Sequence, residues 1–400
     1  MTSKTSPALS LTSPERAISG EFDEVSKFNR RGLFVGGCPK SGTTLLLALL
    51  DGHPELVVLP EETHYFEQGK KYRALRDYQA KLHHLLTRSD LRLLDRGRVE
   101  LPRAACGPDI RDYHGFDHGL FMQLAGSFVN QPGMNDSLLL SETIRAYVIA
   151  RGYNWRDCVR WVEKTPGNVP YMDDLFGLFP EAKLIQVVRD PRAVFASRQQ
   201  RLINRYGGHA KAHRLVREWN ESSRQITRLR KHPANCLVIR YEDLVQNSRA
   251  VLEEVCRFSG IQFLPVLLEP TRAGRQWQGN STFYTEFNGI DAHPIEKWKD
   301  ELTEDEIWWI EMHCAEGMAL AGYRMQTDGR FSFARWARRL PAESLTGYWH
   351  ARKSSFCHLV GLLEGCRYDG SPAGSRPAIN NRPVFGSACE TQNPARLSLD

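Results

Sequence analysis

The sequence reads as an α/β protein, a mostly parallel central sheet flanked by helices in a three-layer sandwich. Three observations carry this reading. Leu33-Phe34-Val35 is an apolar run that enters the turn Gly36-Gly37-Cys38-Pro39 and then a helical stretch over 43–50, which is the order strand, turn, helix. Leu184-Ile185-Gln186-Val187-Val188 has the short apolar character of a strand buried on both faces. It leads through Arg189-Asp190-Pro191, with Pro191 suited to a helix first turn, into a helix reaching residue 200. Further short runs at 56–59, 138–140, 159–162 and 236–239 are strand candidates separated by polar helical stretches such as 214–230, and that alternation argues for a parallel sheet covered by helices.

The 400 residues are two to three times a usual domain length, enough to bury the core of a complete enzyme. Residues 1–30, rich in Ser, Thr, Pro and charge, are expected to form a loose tail without a secretory signal. The domain is expected over 31–325. Thr303-Glu304-Asp305-Glu306 has capping-box spacing and predicts a long amphipathic helix through residue 320. Residues 326–400 are expected to be an extension, partly helical and then poorly ordered, because the Gly, Pro, Ser and Asn from residue 369 onward cannot bury much. No apolar run is long enough to cross a bilayer, so no integral membrane segment is expected. Lys and Arg exceed Asp and Glu by 53 to 47, too small and too dispersed an excess to point to nucleic acid. Nine scattered cysteines without a C-x-x-C suggest neither a disulfide framework nor a zinc site, and a reducing cytoplasm fits them best. No repeat is visible, and oligomeric state is not legible.

Between the first strand and helix lies Gly37-Cys38-Pro39-Lys40-Ser41-Gly42-Thr43-Thr44. Successive backbone N–H groups and a helix N-terminus in such a turn favour a bound anion. The two glycines have Walker A spacing, but Thr43 stands where the lysine belongs and Lys40 precedes the second glycine, so the triphosphate loop is broken. A cation on the near side of the turn suits the terminal group or bridging oxygen of a shorter phosphate chain. Without its companions, such a loop would be read as a plain connection.

Pro39-Lys40-Ser41-Gly42-Thr43-Thr44 resembles the 5′-phosphosulfate loop of sulfotransferases that use 3′-phosphoadenosine 5′-phosphosulfate (PAPS), and the similarity continues through Asp51-Gly52-His53-Pro54 into Glu61-Glu62-Thr63-His64-Tyr65-Phe66. Arg189-Asp190-Pro191-Arg192 followed by Ser197 resembles the same family's 3′-phosphate site, where a guanidinium fork and a hydroxyl suit phosphate oxygens. Glu163-Lys164-Thr165-Pro166 is similar to a segment of the heparan-type enzymes whose lysine reaches the reacting centre. The acidic segment aligns with the one supplying the catalytic base in the heparan-type and tyrosylprotein enzymes, the match falling on Glu62 rather than Glu61. The resemblance covers roughly residues 32–323 and implies a P-loop NTPase-like fold. It implies PAPS as co-substrate held by Lys40, Ser41, Gly42, Thr43, Thr44, Arg189 and Ser197, with catalysis by Glu62, Lys40 and Lys164. Tyr241, beyond the strand 236–239, reads equally as a nucleotide contact or a core-edge tyrosine. The Lys-Thr-His base and the Arg-Lys-Gly signature of the cytosolic small-molecule enzymes are absent: Lys164-Thr165-Pro166 and Glu296-Lys297-Trp298-Lys299-Asp300 stand there.

The acceptor implied is a hydroxyl of a glycan, peptide or small natural product, a sugar being favoured by the likeness to glycan-acting enzymes. No metal is implied, since two lysines take the place magnesium holds in kinases. A kinase or NTPase, with Asp190 as its acid, and a silent nucleotide-binding protein remain the competing readings. His209 with His213 and His114 with His118 have i, i+4 spacing but lack a third ligand, and the Arg-rich aromatic stretch 330–339 reads as a surface helix. Acceptor choice is assigned to the loops 70–131 and 276–294.

Overall fold

The computed structural model describes residues 23–327, apart from 97, 102–108, 114, 207–211, 280–288 and 291–294, together with residue 334. Most of the expected tail and extension, the stretch 330–339 save residue 334, His209 and His114 therefore lie outside the described residues.

Five parallel strands make the central sheet: β1 (Gly32–Gly37), β2 (Leu56–Val58), β5 (Arg160–Lys164), β6 (Lys183–Val188) and β7 (Cys236–Arg240), in the order β2-β5-β1-β6-β7. Two small antiparallel hairpins stand apart from it, β3 (Arg98–Leu101) with β4 (Asp109–Asp112), and β8 (Thr271–Arg272) with β9 (Arg275–Gln276). The helices that matter here are α1 (Thr43–Leu50), α2 (Asp136–Ala150), α3 (Pro191–Tyr206), α4 (Ala212–Arg230) and α5 (Glu304–Ala321). This is the α/β sandwich, a parallel sheet flanked by helices, that the sequence predicts.

The apolar runs become strands because both sheet faces are covered. On β1, Leu33 and Val35 join α1, Ile185 and Val187 on one side, whereas Phe34 points the other way. Its ring meets Trp161 edge-on at 5.2 Å, Phe66 at 5.6 Å and Phe179 at 5.4 Å, contacts that each add about 0.5–1.5 kcal/mol to simple burial. Gln186 is the polar exception on β6, and its amide donates to Ser222 O at 2.8 Å, so its burial against α4 leaves that donor satisfied. A third cluster joins Val188, Val194 and Trp219 to Trp308, Trp309 and Met318 on α5. That helix starts with the expected capping box: Thr303 Oγ1 accepts from Glu306 N, and Glu306 accepts from Thr303 N at 2.9 Å.

Two expectations need correction. The run 138–140 is not a strand but part of α2, whose N-terminus is capped by Asn135 accepting from Leu138 N at 3.0 Å. Three apolar residues carry no period of their own, and α2 is buried on nearly every side, so the pattern that separates helix from strand is missing there. The tail also ends sooner than residue 30. Residues 23–30 are helical, Phe28 is buried, Phe28 O accepts from Trp161 Nε1 at 2.9 Å, and Asn29 Nδ2 donates to Glu142 at 2.8 Å. Cys38, Cys158, Cys236, Cys256 and Cys314 are free thiols, and no helix among the described residues is long and apolar enough to cross a membrane.

A buried ionic junction fastens α5 to the sheet. Arg192 donates from Nε and Nη2 to both oxygens of Asp190 (2.9 and 2.6 Å) and from Nη1 to Glu311 on α5. Glu311 also accepts from the backbone N–H groups of Gln326 and Thr327, each at 2.8 Å. Arg192→Met would leave two buried carboxylates without their cation, so it should lower unfolding stability by about 3–5 kcal/mol, read as a fall in the urea midpoint at unchanged m.

Candidate active site

Every strand of the main sheet ends at the same edge, and the residues singled out in the sequence lie there. The loop 37–44 follows β1, Glu62 follows β2, Lys164 ends β5, Arg189 follows β6 and Tyr241 follows β7. β1 lies between β5 and β6, with the chain running to β2 on one side and from β6 to β7 on the other, so the loop sits where the strand order reverses. Open α/β sheets bind ligands at that place.

The loop is shaped by positions that only special residues fill. Gly37 has φ 150 and Gly42 φ 94, and a Cβ on either would fall 2.3 Å from Val187 O or from the Tyr241 ring. Lys40 itself is left-handed at φ 77, a conformation that costs a non-glycine residue of order 1–3 kcal/mol and is retained where function requires it. Neither a capping side chain nor an acidic residue covers the start of α1, whose first N–H groups therefore keep their affinity for an anion. The Ser41 hydroxyl is buried with no hydrogen-bond partner, an arrangement that a phosphate oxygen would satisfy.

Arg189 joins the loop from the neighbouring strand. Its Nη1 donates to Lys40 O at 3.1 Å, and its guanidinium lies 4.3 Å from the Tyr241 ring centroid. Tyr241, left open by the sequence, thus fills the space that Gly42 leaves and lies against the Arg189 guanidinium. Ser197 is buried on α3, in its second turn. Asp190, the acid that a kinase reading would use for magnesium, has both oxygens engaged by Arg192.

On the other flank the two adjacent carboxylates have separate partners. Glu62 takes a short charge-assisted bond from Lys164 Nζ, which also lies 3.4 Å from Thr44 Oγ1, so carboxylate, lysine and loop hydroxyl converge. Burial pushes the Glu62 carboxyl up, but the ammonium of Lys164, with His64 and Arg111, outweighs it and the net displacement is downward. The ring of His64 has Nδ1 at 2.5 Å from Glu67 and Nε2 at 3.6 Å from Glu62; the Glu67 hydrogen bond, against burial and with the charges of Glu62 and Asp90, raises its pKa. Donor atoms of Glu62, His64 and Asp90 all lie within 4.8 Å of one another. Glu61 turns away to Arg111, Arg272 and the Tyr113 hydroxyl.

What holds this segment is Glu163, a wholly buried carboxylate that sequence reasoning left without a role. It accepts from Thr63 N (3.2 Å), Thr63 Oγ1 (2.8 Å), Thr165 Oγ1 (2.7 Å) and Asn168 Nδ2 (2.7 Å), while Thr165 Oγ1 also accepts from His64 N at 3.2 Å. The chain after β2 is thereby stitched to the end of β5, which places Glu62 opposite Lys164. His64 adopts φ 51 in this stitched turn. Asp51 performs a similar service further out: its carboxylate accepts from Thr271 Oγ1 (2.7 Å) and Gly274 N (2.9 Å), pinning the β8–β9 hairpin beside α1. Glu163 and Asp51 lie within quoted motifs, but partners as remote as Thr63 and Gly274 leave no local signal.

A family model described as "Sulfotransferase family" matches residues 32–265. Carbohydrate sulfotransferase 1 of Rattus norvegicus is 28% identical over 191 residues, 40% of this chain and 44% of its own length. Protein-tyrosine sulfotransferase of Drosophila melanogaster is 22% identical over 299 residues, 72% of this chain and 48% of its own. The chain thus spans just under half the length of these two relatives. Among solved structures, the sulfotransferase domain from the curacin biosynthetic pathway is similar over 73% of this chain and 98% of its own at 21% identity, with a TM-score of 0.45.

Two outcomes test the geometry. Gly42→Ala, strained at φ 94 and driven into Tyr241, should cost about 1–3 kcal/mol of unfolding free energy, read by urea titration. A raised His64 pKa means that its stabilisation is complete below the ordinary imidazole value of 6.5 and is lost as pH rises through the raised value. The stability difference between the protein and His64→Asn should therefore be constant below about pH 6 and shrink on the alkaline side, measured as urea midpoints across pH.

Proposed function

The chain belongs to the sulfotransferase family, and on that premise we propose that it moves a sulfuryl group from PAPS to a hydroxyl of a carbohydrate or glycoconjugate. The observation that carries this reading is the meeting of Glu62, Lys164 and Thr44 at the mouth of the loop 37–44, which supplies a base, a cation and an anion cradle at one point. A second reading, transfer to a tyrosine phenol, is favoured by the longer alignment with the protein-tyrosine enzyme, 72% of this chain against 40% for the carbohydrate enzyme.

In this mechanism the loop N–H groups, Ser41, Thr43 and Thr44 hold the 5′-phosphate, and Arg189 with Ser197 receives the 3′-phosphate. The acceptor oxygen attacks sulfur as the bond from sulfur to the phosphate bridging oxygen breaks in line with it, so positioning and charge neutralisation do most of the work. Glu62 takes the acceptor proton. Its depressed proton affinity keeps it ionised at neutral pH, ready to accept. Lys40 and Lys164 neutralise the charge growing on the leaving oxygen of adenosine 3′,5′-bisphosphate. The ammonium of Lys164 adjoins both ends of the transfer, the base on one side and Thr44 of the loop on the other. The chain's own lysines supply this charge, so the proposed reaction requires no metal.

Calorimetric titration decides the donor class: adenosine 3′,5′-bisphosphate should bind equally in magnesium and in chelator, and ATP should bind poorly in both. Arg189→Ala should weaken the bisphosphate by about 1.5–3 kcal/mol and leave AMP nearly unaffected; equal weakening of both would remove the 3′-phosphate role. With labelled phosphosulfate and two probes, an unsulfated hexosamine–uronate oligosaccharide and an acidic tyrosine peptide, label should enter the oligosaccharide. Label in the peptide instead would establish the second reading. Glu62→Gln should slow single-turnover transfer by about 10²–10⁴-fold at unchanged bisphosphate affinity.

A further inference from the structure

Glu61 and Glu62 are adjacent in sequence, yet only Glu62 meets the lysine. The Glu61 side chain is 1% exposed and is met from two hairpins: by Arg111 of β4 with Tyr113 just beyond it, and by Arg272 of β8, whose Nη2 also donates to Pro60 O at 2.9 Å. The two hairpins are further joined by the ion pair of Arg275 with Asp112. Two guanidiniums, each only about 15% exposed, therefore stand one residue from the base, and their charge is answered by Glu61.

The geometry points to Glu61 as a positioning residue: its buried carboxylate engages Arg111 and Arg272 and so reserves the neighbouring Glu62 for Lys164 and the acceptor proton. This rests on the sulfuryl-transfer reading of Glu62 as base. The groups facing Glu62 are Lys164 from β5, His64 from its own segment, Asp90 from the turn 90–96, and Arg111 from β4; Arg111 already depresses the Glu62 proton affinity with Glu61 in place. Without the Glu61 charge, the positive charge of Arg111, which already acts on Glu62, is less offset beside it. A stronger positive field at the base favours its charged form and makes it a weaker proton acceptor.

The test follows kcat/KM against pH for whichever probe takes up label, together with bisphosphate affinity by calorimetry. Glu61→Gln should bind the bisphosphate within twofold of the unmodified protein. It should lower kcat/KM about three- to tenfold near neutral pH and move the acidic limb of the profile down by about one pH unit. Adding Arg111→Gln to Glu61→Gln should restore most of the rate and return the limb. Arg111→Gln alone keeps Arg272 and Tyr113 on Glu61, and it should move the limb the opposite way, upward. A rate loss without displacement of the limb and without recovery in the double variant would mean that Glu61 only holds the fold, and would overturn the proposal. So would an unmoved limb in Arg111→Gln, should Glu61→Gln not fold. An unmodified protein that neither binds the bisphosphate nor transfers label would instead bring down the sulfuryl-transfer reading, and this proposal with it.

Discussion

β1 is paired in parallel on both sides, with Gly32–Val35 beside β5 and Leu33–Gly37 beside β6, and a strand held so can release its following helix only at one edge of the sheet. The rest of the site is arranged around that release point. Parallel neighbours place their own C-terminal ends at the same edge, so Lys164, two registers behind the loop, and Arg189, just beyond Val188, flank it without any element having to bend toward it. The tight passage of the chain past Val187 and Tyr241 is what demands glycine at 37 and 42.

Charge at this edge is partitioned by burial and by who sits opposite whom. Four carboxylates, Glu61, Glu62, Glu163 and Asp190, lie within a few residues of the strand ends and are all largely buried, yet each has different partners. Glu163 accepts only neutral donors and serves as a structural knot; Asp190 is consumed by Arg192; Glu61 is consumed by Arg111 and Arg272; Glu62 is left facing a lysine at the loop mouth. Of the four, only Glu62 faces a lysine at the loop mouth. Glu61 and Asp190 engage guanidiniums, Glu163 engages neutral donors, and each charge is thereby answered locally.

Sulfuryl transfer makes few covalent demands on a protein, and the site reflects that. It offers a turn of backbone N–H groups, two lysines, an arginine stacked on a tyrosine, and a carboxylate facing one of the lysines, with left-handed backbone at Lys40 and His64. The hairpins β3–β4 and β8–β9 are pinned to this edge through Glu61 and Asp51, so segments far from the main sheet in sequence are mechanically joined to it.

The strands of the main sheet and the turn 37–44 are legible in the sequence because both are local. A strand buried on two faces needs a short apolar run, and a tight strand-to-helix turn needs glycine at set places, so Leu33 to Thr44 and Leu184 to Val188 announce strand and turn in order. The motif Glu163-Lys164-Thr165-Pro166 stood out only through its likeness to a family segment. Where the local pattern lacked a period, as in Leu138-Leu139-Leu140, strand and buried helix could not be told apart, and the cap at Asn135 decided it. Nothing local distinguishes Glu61 from Glu62, or marks Glu163 as a knot. Their roles depend on Arg111, Arg272, Lys164 and Thr63, which lie from 50 to more than 200 residues away and become neighbours only when the strands align. Sequence determines which groups are available at the strand ends; only folding assigns each buried charge its partner, because pairing energy falls with distance in space and takes no account of separation along the chain.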